Sequence, residues 1–312
     1  MPTSDFSYKR IKRPGLLRRA VGRLPLALLR HIFFFRESGR WGNFRNPQSF
    51  GEKMQWRIIN DRRRILRDTA DRLSNRELIQ RLSAEAHLAI ELPELLATAD
   101  VPERLIDQLE TRARNRSIPS RWLIKPNNSS GEVLVVDGAP DWQEIRKLLD
   151  QWRGPGVLET VHWLWANAMA QKGFVAEAWI GDPSRVPEEW KIFVVGGKPK
   201  FYVINRRDDV GNTRIHLDET WNEMETWHHN AGATLSRDQI LGDRNQMDHA
   251  ASCIGRDWDL LRVDLFWSEG KIWFGELTPY PSEGLVHLAA GGPEFDRRLG
   301  ELWKLPALKA VK

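Results

Sequence analysis

The sequence predicts an α+β fold with mostly antiparallel sheets. Two β-hairpin signatures in the C-terminal half, helical stretches around them, and strands that come in hairpins rather than strand–helix–strand units predict it. After Asn46-Pro47, which marks a turn, residues Phe50 to about Leu82 read as helical, with Glu52, Lys53, Asp61 and several arginines on polar faces. A further helical region continues to about Arg114, and Ser117 to Pro119 reads as a linker. Trp122-Leu123-Ile124 then predicts a short strand, Pro126 to Gly131 a polar loop, Val133 to Val136 a second strand, and Asp137-Gly138 a turn. Trp142 to Trp152 has the pattern of an amphipathic helix, and Phe174 to Ile180 that of a strand. In the first hairpin Lys191 to Val195 and Lys200 to Ile204 flank Gly196-Gly197; in the second Leu261 to Trp267 and Lys271 to Leu277 flank Ser268-Glu269-Gly270. A helix of roughly Ser236 to Arg256 separates them, and the tail from Pro293 to Leu305 reads as helical.

Composition bounds the function. The chain of 312 residues is long enough for one large domain or two modest ones. Its single cysteine, Cys253, excludes a disulfide framework and a cysteine-cluster metal site, and its apolar neighbours predict a buried structural thiol. No uninterrupted apolar run approaches the roughly 18 residues of a membrane helix, so the expectation is a cytoplasmic protein. Fifteen tryptophans are many for this length; most belong in the core, and some suit the walls of a groove. The net charge of +5 is unevenly placed: from Lys9 to Arg45 the chain carries Lys9, Arg10, Lys12, Arg13, Arg18, Arg19, Arg23, Arg30, Arg36, Arg40 and Arg45, opposed only by Glu37. Leucines and Phe33, Phe34 and Phe35 intersperse with them, as in a basic amphipathic segment lying on an anionic membrane surface, peripheral at the inner face. The alternatives are an ordinary helix packed on the domain, a nucleic-acid contact and a secretory signal. Arg30 interrupts the apolar stretch and no A-x-A pattern follows, and no nucleic-acid module accompanies the arm.

Alternation in the second hairpin places Arg262, Asp264 and Phe266 on one face, and the short turn brings Gly275-Glu276 back beside Asp264. Opposed residues of an antiparallel pair have Cβ atoms about 4.5–5.5 Å apart, and like charges there are destabilising. A hard cation answers two such carboxylates, because Mg²⁺ takes one or two of them and completes its shell with water and phosphate oxygens. A solvated pair neutralised by Arg262 is the alternative. Lys125 and the following Asn127-Asn128-Ser129-Ser130-Gly131 offer a point charge, N–H groups and hydroxyls to a phosphate, or are simply a turn. The far end of Phe174 to Ile180 has backbone groups to offer an adenine edge.

In order, these motifs form a set: Asn46-Pro47-x-x-Phe50-x-Glu52-Lys53-x-x-Trp56, Leu123-Ile124-Lys125-x-Asn127, Ala176-Glu177 before Trp179-Ile180, Trp190-Lys191-Ile192-Phe193 with Gly197-x-Pro199-Lys200-Phe201, then Arg262-Val263-Asp264-Leu265 with Gly270-Lys271-Ile272 and Phe274-Gly275-Glu276-Leu277-Thr278. The set resembles the ATP-grasp superfamily from about Asn46 onward, and within it the TupA-like branch associated with teichuronopeptide and capsular polysaccharide synthesis. The resemblance implies an ATP-grasp fold, two α+β subdomains clasping a nucleotide after a basic N-terminal helical arm. The expected boundaries are an arm at 1–45, a helical region at 46–118, a lid subdomain with the phosphate loop at 119–183, and a metal-binding subdomain at 184–312.

It also implies roles. Lys125, Ser129 and Ser130 are expected at the nucleotide phosphates, the main chain of Glu177, Ala178, Trp179 and Ile180 at adenine, and Glu189 near the ribose. Lys191, Arg262 and, more weakly, Arg214 are expected at the reacting phosphate, and Asp264, Glu276 and Thr278 at Mg²⁺. Thr278 stands where an asparagine-like ligand is usual, Ser129 where a glycine is expected, and Asp71-Arg72 replaces an Asp-Lys pair. The implied activity is an ATP- and Mg²⁺-dependent carboxylate–amine ligase acting through an acyl phosphate, with a uronic or amino acid as carboxylate. Asp208-Asp209 supports the rival reading, a capsule glycosyltransferase using a sugar nucleotide, although paired aspartates before Gly211-Asn212 also suit a turn. A non-catalytic nucleotide-binding protein is the third reading.

Overall fold

The structure, a computed structural model, describes residues 24–86, 88–129, 131–153, 164–208, 211–224, 234–285 and 292–308. Its helices are α1 (Leu26–Ser38), α2 (Phe50–Asn60), α3 (Arg64–Thr69), α4 (Arg72–Ala86), α5 (Pro102–Arg114), α6 (Trp142–Trp152), α7 (Trp165–Met169), α8 (Arg244–Gly255) and α9 (Gly292–Leu302). Its strands are β1 (Ile90–Glu91), β2 (Leu95–Ala99), β3 (Arg121–Pro126), β4 (Leu134–Asp137), β5 (Phe174–Ala178), β6 (Glu188–Val195), β7 (Lys198–Asp208), β8 (Gly211–Asp218), β9 (Leu260–Ser268) and β10 (Lys271–Thr278). The chain divides into two units, one containing Arg64–Glu77 and Leu92–Arg185, the other Leu24–Arg63, Leu78–Glu91 and Val186–Lys312.

The first unit is a four-stranded antiparallel sheet in the order β2-β5-β3-β4. Alternation on β3 buries Trp122 and Ile124, which join Leu134 and Val136 of β4 and Phe174 and Ala176 of β5. Helices α5 and α6 cover that face with Leu105, Ile106, Leu109, Ile145 and Leu149, the apolar stripes of two strongly amphipathic helices. The second unit is a six-stranded sheet, β1-β10-β9-β6-β7-β8, antiparallel except where the short β1 runs beside β10. Trp190, Ile192 and Val194 alternate on β6 toward one side, where Gly255 of α8 comes so close that a Cβ would lie 2.5 Å from Val194. On the other side Phe193 and Phe201 meet Phe295 of α9, itself edge-on to Phe50 of α2.

Helix α2 starts with a complete capping box: the Ser49 hydroxyl accepts from the Glu52 N–H, and the Glu52 carboxylate accepts from the Ser49 N–H. Ser49→Ala is expected to cost about 1 kcal/mol of stability in urea unfolding, and Ser49→Asp to restore most of it.

Several local expectations are corrected. The helical region expected up to Arg114 contains β1 and β2, because Pro93 follows Leu92 and forces an extended segment. The helix expected from Ser236 is a 3₁₀ turn, Arg237–Gln239, followed by α8. The N–H groups of Leu241 and Gly242 donate to the buried Glu188 carboxylate, and Asp243 caps α8 by accepting from the Gln246 N–H. Cys253 is half-buried, with its Sγ 4.0 Å from His249 Nε2. Arg30, counted among the basic residues of the arm, is fully buried: its Nε donates to Gln55 Oε1 at 2.7 Å, Nη1 to Glu283 Oε2 at 3.1 Å, and Nη2 to the Glu283 carbonyl at 3.0 Å. Burial lowers its pKa against the pull of Glu283. This clasp holds Ser282 and Glu283 in the left-handed region (φ 47° and 54°), which costs non-glycine residues of order 1 kcal/mol each. Residues 1–23 and Asp209 lie outside the described residues, as does the side chain of Asp208.

Candidate functional site

Strand register builds the second unit's candidate site. The β9–β10 turn is Glu269-Gly270, both at positive φ (54° and 74°), the two-residue loop that matches strand twist. From that turn Phe274 falls opposite Leu265, and then a bulge at Gly275 inserts one residue, so that Glu276 falls opposite Asp264 and Thr278 opposite Arg262. Gly275 is required here: a Cβ would sit 2.7 Å from Phe266 and 2.9 Å from the Asp264 carbonyl. On the other flank of β9, Lys191 of β6 is opposite Asp264, and Glu189 is opposite Phe266. Glu189 in turn faces Asn205 of β7, which faces Arg214 of β8. Three neighbouring cross-strand rows, Thr278–Arg262, Glu276–Asp264–Lys191 and Glu189–Asn205–Arg214, therefore carry all seven candidates of this unit on one sheet face.

Their side chains form one continuous network. Arg262 grips Asp264 with both forks, Nε to Oδ1 and Nη2 to Oδ2, each 2.7 Å, and also donates to the Thr278 hydroxyl at 3.0 Å. That hydroxyl donates to Glu276 Oε1 at 3.0 Å. Lys191 Nζ lies 3.3 Å from Asp264 Oδ2 and ion-pairs with Glu189. Glu189 Oε2 accepts from Asn205 Nδ2 at 2.8 Å, and Asn205 Oδ1 accepts from Arg214 Nε at 2.6 Å. Burial draws the Lys191 pKa down, but Asp264 and then Glu189 outweigh it and leave it raised, so the ammonium is charged at neutral pH. The Arg262 pKa is raised in the same way: burial lowers it, and Asp264 and Glu276 more than restore it.

A cavity of about 950 Å³ opens beside these rows. Among the described residues Lys191, Arg206, Arg207 and Arg214 line it together with two carboxylates, Glu189 and Glu223, so this described lining is cationic. Among the described residues, no group of three or more His, Cys, Asp or Glu side chains is gathered for a metal. Two opposed carboxylates and a hydroxyl are nevertheless the hard oxygen set that Mg²⁺ takes when phosphates and water complete its shell.

In the first unit Lys125, near the end of β3, and Glu177, near the end of β5, form an ion pair at 3.3 Å. Glu177 also binds Arg76 Nη1 at 2.7 Å. Burial would raise the Glu177 pKa, but Lys125, Arg76 and Arg72 outweigh it and hold the carboxylate below its ordinary range. The Ala178 N–H donates to the Glu94 carbonyl at 2.9 Å and the Trp179 N–H to the Arg121 carbonyl at 3.2 Å, so two of the main-chain donors expected at adenine are engaged within the unit. Ile180 is buried, and the Trp179 ring lies under the Arg121 guanidinium at 3.9 Å.

Loop 126–129 is anchored rather than loose. Asn127 accepts from the Leu73 N–H and donates to the Gln171 carbonyl, and Asn128 exchanges amide bonds with Asn167. Arg72, in place of the expected lysine, donates to the carbonyls of Pro126 and Ser129 at 3.0 and 2.8 Å. The Ser129 hydroxyl donates to Glu132, and Ser130 lies outside the described residues.

Arg76 and Asn205 were not foreseen from sequence. Asn205 becomes visible only by counting register back from Gly196-Gly197 with one extra residue, Lys200, on β7. Arg76 gives no local signal beyond its charge.

Residues 52–304 match the family model described as TupA-like ATPgrasp, which puts the chain in the ATP-grasp ligase superfamily. Within that class, the chain belongs to the TupA-like ATP-grasp family. Among solved structures it is similar to D-alanine–D-alanine ligase from Bacillus anthracis, with 14% identity, a TM-score of 0.44, and 75% of this chain and 66% of that one covered. It is also similar to the same ligase from Helicobacter pylori (11%, 0.41, 77% and 62%) and to N5-carboxyaminoimidazole ribonucleotide synthetase from Thermus thermophilus (17%, 0.35, 72% and 52%). The chain thus spans less than two thirds of the length of these three structures, and the likenesses concern the fold alone. No curated protein matches the sequence.

Proposed function

We propose that the chain is an ATP- and Mg²⁺-dependent carboxylate–amine ligase that joins an amino acid or amine to a uronic acid or amino acid in surface-polysaccharide or peptide-conjugate synthesis. The observation that carries this reading is the cross-strand row Glu276–Asp264–Lys191, clasped by Arg262 beside a cationic cavity. It supplies opposed carboxylates for a hard cation together with fixed cations for phosphate oxygens.

Asp264, Glu276 and Thr278 would hold Mg²⁺, which when bound neutralises phosphate charge. Arg262, Lys191 and Arg214 orient the transferring phosphoryl group and stabilise its developing negative charge, the positioning and electrostatics on which such transfers depend. Glu189 takes the ribose, Lys125 and the loop at Ser129 and Ser130 take the phosphates, and the segment Glu177 to Ile180 takes adenine. Residues 119–183 act as the lid subdomain and 184–312 as the metal-binding subdomain. The substrate carboxylate attacks the γ-phosphorus and releases ADP; an amine then attacks the acyl phosphate, forms the amide and releases phosphate. No side-chain nucleophile is needed. The enzyme works in the cytoplasm, at the inner membrane face.

Thermal unfolding with Mg-ATP and with Mg-UDP-sugars tests the reading. Saturation at about 100 times Kd contributes about 2.7 kcal/mol, so Mg-ATP is expected to raise Tm by about 5 °C. Stabilisation by a UDP-sugar alone would sink the proposal.

A further inference from the structure

Helix α1 has an inner and an outer side. Leu29, Arg30 and Phe34 are buried, and the Arg30 clasp on Gln55 and Glu283 fixes the helix's rotation. On the outer side Leu28 and Phe35, seven residues apart and hence on one face, are 45% and 43% exposed. Trp41, just beyond the helix and 62% exposed, stacks on Phe35 with ring centroids 5.0 Å apart. Half of the six exposed large hydrophobic side chains among the described residues thus gather on this helix and the turn after it. Scattered apolar side chains need no explanation, whereas a stacked aromatic pair in line with an exposed leucine on one helix face is a candidate contact surface.

Charge selects the occupant. The 23 residues preceding this stretch carry seven Lys or Arg against Asp5 alone, while the rest of the chain carries 40 basic and 41 acidic residues. In the sequence the entire positive excess therefore precedes the apolar face, and Arg36 and Arg45 add exposed cations within and just after α1. A second copy is disfavoured there, because a self-complementary interface would bring like-charged side chains such as the exposed Arg36 of both copies together. Aromatic side chains flanked by Lys and Arg are instead the composition that settles at an anionic bilayer interface. We propose that Leu28, Phe35 and Trp41 form a lipid-docking face, with the ring pair entering the headgroup region of an anionic membrane and the preceding basic residues providing the long-range attraction. No helix is long and apolar enough to cross a membrane among the described residues, so the contact is interfacial.

The test is flotation of the full chain with phosphatidylglycerol-containing and pure phosphatidylcholine vesicles, at low salt and at about 0.5 M salt, where charge attraction is screened. The wild type is expected to float with anionic vesicles only and to keep part of that binding in high salt. The triple variant Leu28→Ser, Phe35→Ser, Trp41→Ser is expected to lose the salt-resistant part and to bind about tenfold more weakly overall. Its Mg-ATP thermal shift should be unchanged, which separates this face from the ligase reading. Should the triple variant fail to fold, Trp41→Ser alone carries the same comparison. Equal flotation of variant and wild type would overturn the proposal. So would equal binding to neutral vesicles, displacement of the wild type from vesicles by single-stranded RNA through the same three residues, or a dimer that the triple variant dissociates.

Discussion

Glu276→Gln is expected to reduce Mg-ATP-dependent ADP formation on the order of 10³-fold while leaving the protein as stable as the wild type. The two effects separate because the substitution keeps the shape of the side chain and an oxygen for the Thr278 hydroxyl to donate to. Asp264 retains both of its cationic partners, Arg262 and Lys191. Loss of one of two opposed carboxylates also removes a like-charge contact, so unfolding should shift by less than about 1 kcal/mol. What disappears is half of the anionic oxygen pair, and a metal's charge stabilisation at a phosphoryl group is worth several kcal/mol, each 1.4 kcal/mol being about tenfold in rate. Steady-state ADP release with a panel of uronic and amino acids, alongside urea unfolding, measures both halves. Full activity in a folded variant would remove Glu276 from the metal site.

Arg57→Met should have the opposite profile, with the largest cost in stability. The guanidinium is fully buried, pairs with Asp259, and donates from Nη1 to the carbonyls of Leu260 and Pro279, each at 2.9 Å. Its remaining surface lies on the Trp303 ring at 4.4 Å. Burial lowers its pKa despite Asp259 and Asp61, so this charge is tolerated because its partners are fixed. Methionine matches much of the volume but strands two carbonyls and leaves Asp259 to Arg63 and the Trp303 indole. Breaking a buried pair in this way costs about 3–5 kcal/mol, a large share of a typical stability of roughly 5–15 kcal/mol. A loss below about 1 kcal/mol in chemical unfolding would show that the cluster is not a keystone. Lysine is expected to recover only part, since it lacks the planar fork that spans both carbonyls.

The turn chemistry and the apolar alternation of both hairpins were legible in the sequence, because a two-residue glycine-containing turn and a period of two are local properties. The observed hairpins, β6–β7 and β9–β10, bracket the expected strands within a few residues. The bulges were not legible. Counting back from Glu269-Gly270 without a bulge would set Gly275 opposite Asp264 and turn Glu276 to the other face; the bulge at Gly275 corrects this. Lys200 does the same on β7 and brings Asn205 opposite Glu189. A bulge is chosen by what packs across the sheet, here Phe266 against Gly275, and no neighbouring residue announces it. For the same reason the buried partners of Arg30 and Arg57, more than 200 residues away in Glu283, Asp259 and Pro279, could not be read from a window of sequence. Arginines that look like a solvated polar face in the chain became internal braces.

The continuous network from Glu276 through Thr278, Arg262, Asp264, Lys191, Glu189 and Asn205 to Arg214 has a thermodynamic consequence for any ligand that arrives there. Long cationic side chains that wander in solvent must be immobilised when they grip a polyanion, at about 0.5–1.5 kcal/mol each. Here Arg262, Lys191 and Arg214 are already held by neighbours on the same sheet face, so that entropy was surrendered when the chain folded. On the proposed reading, association would be free to express its charge complementarity as affinity, and the sheet would act as a rigid template whose cations exchange one oxygen for another without first having to be ordered.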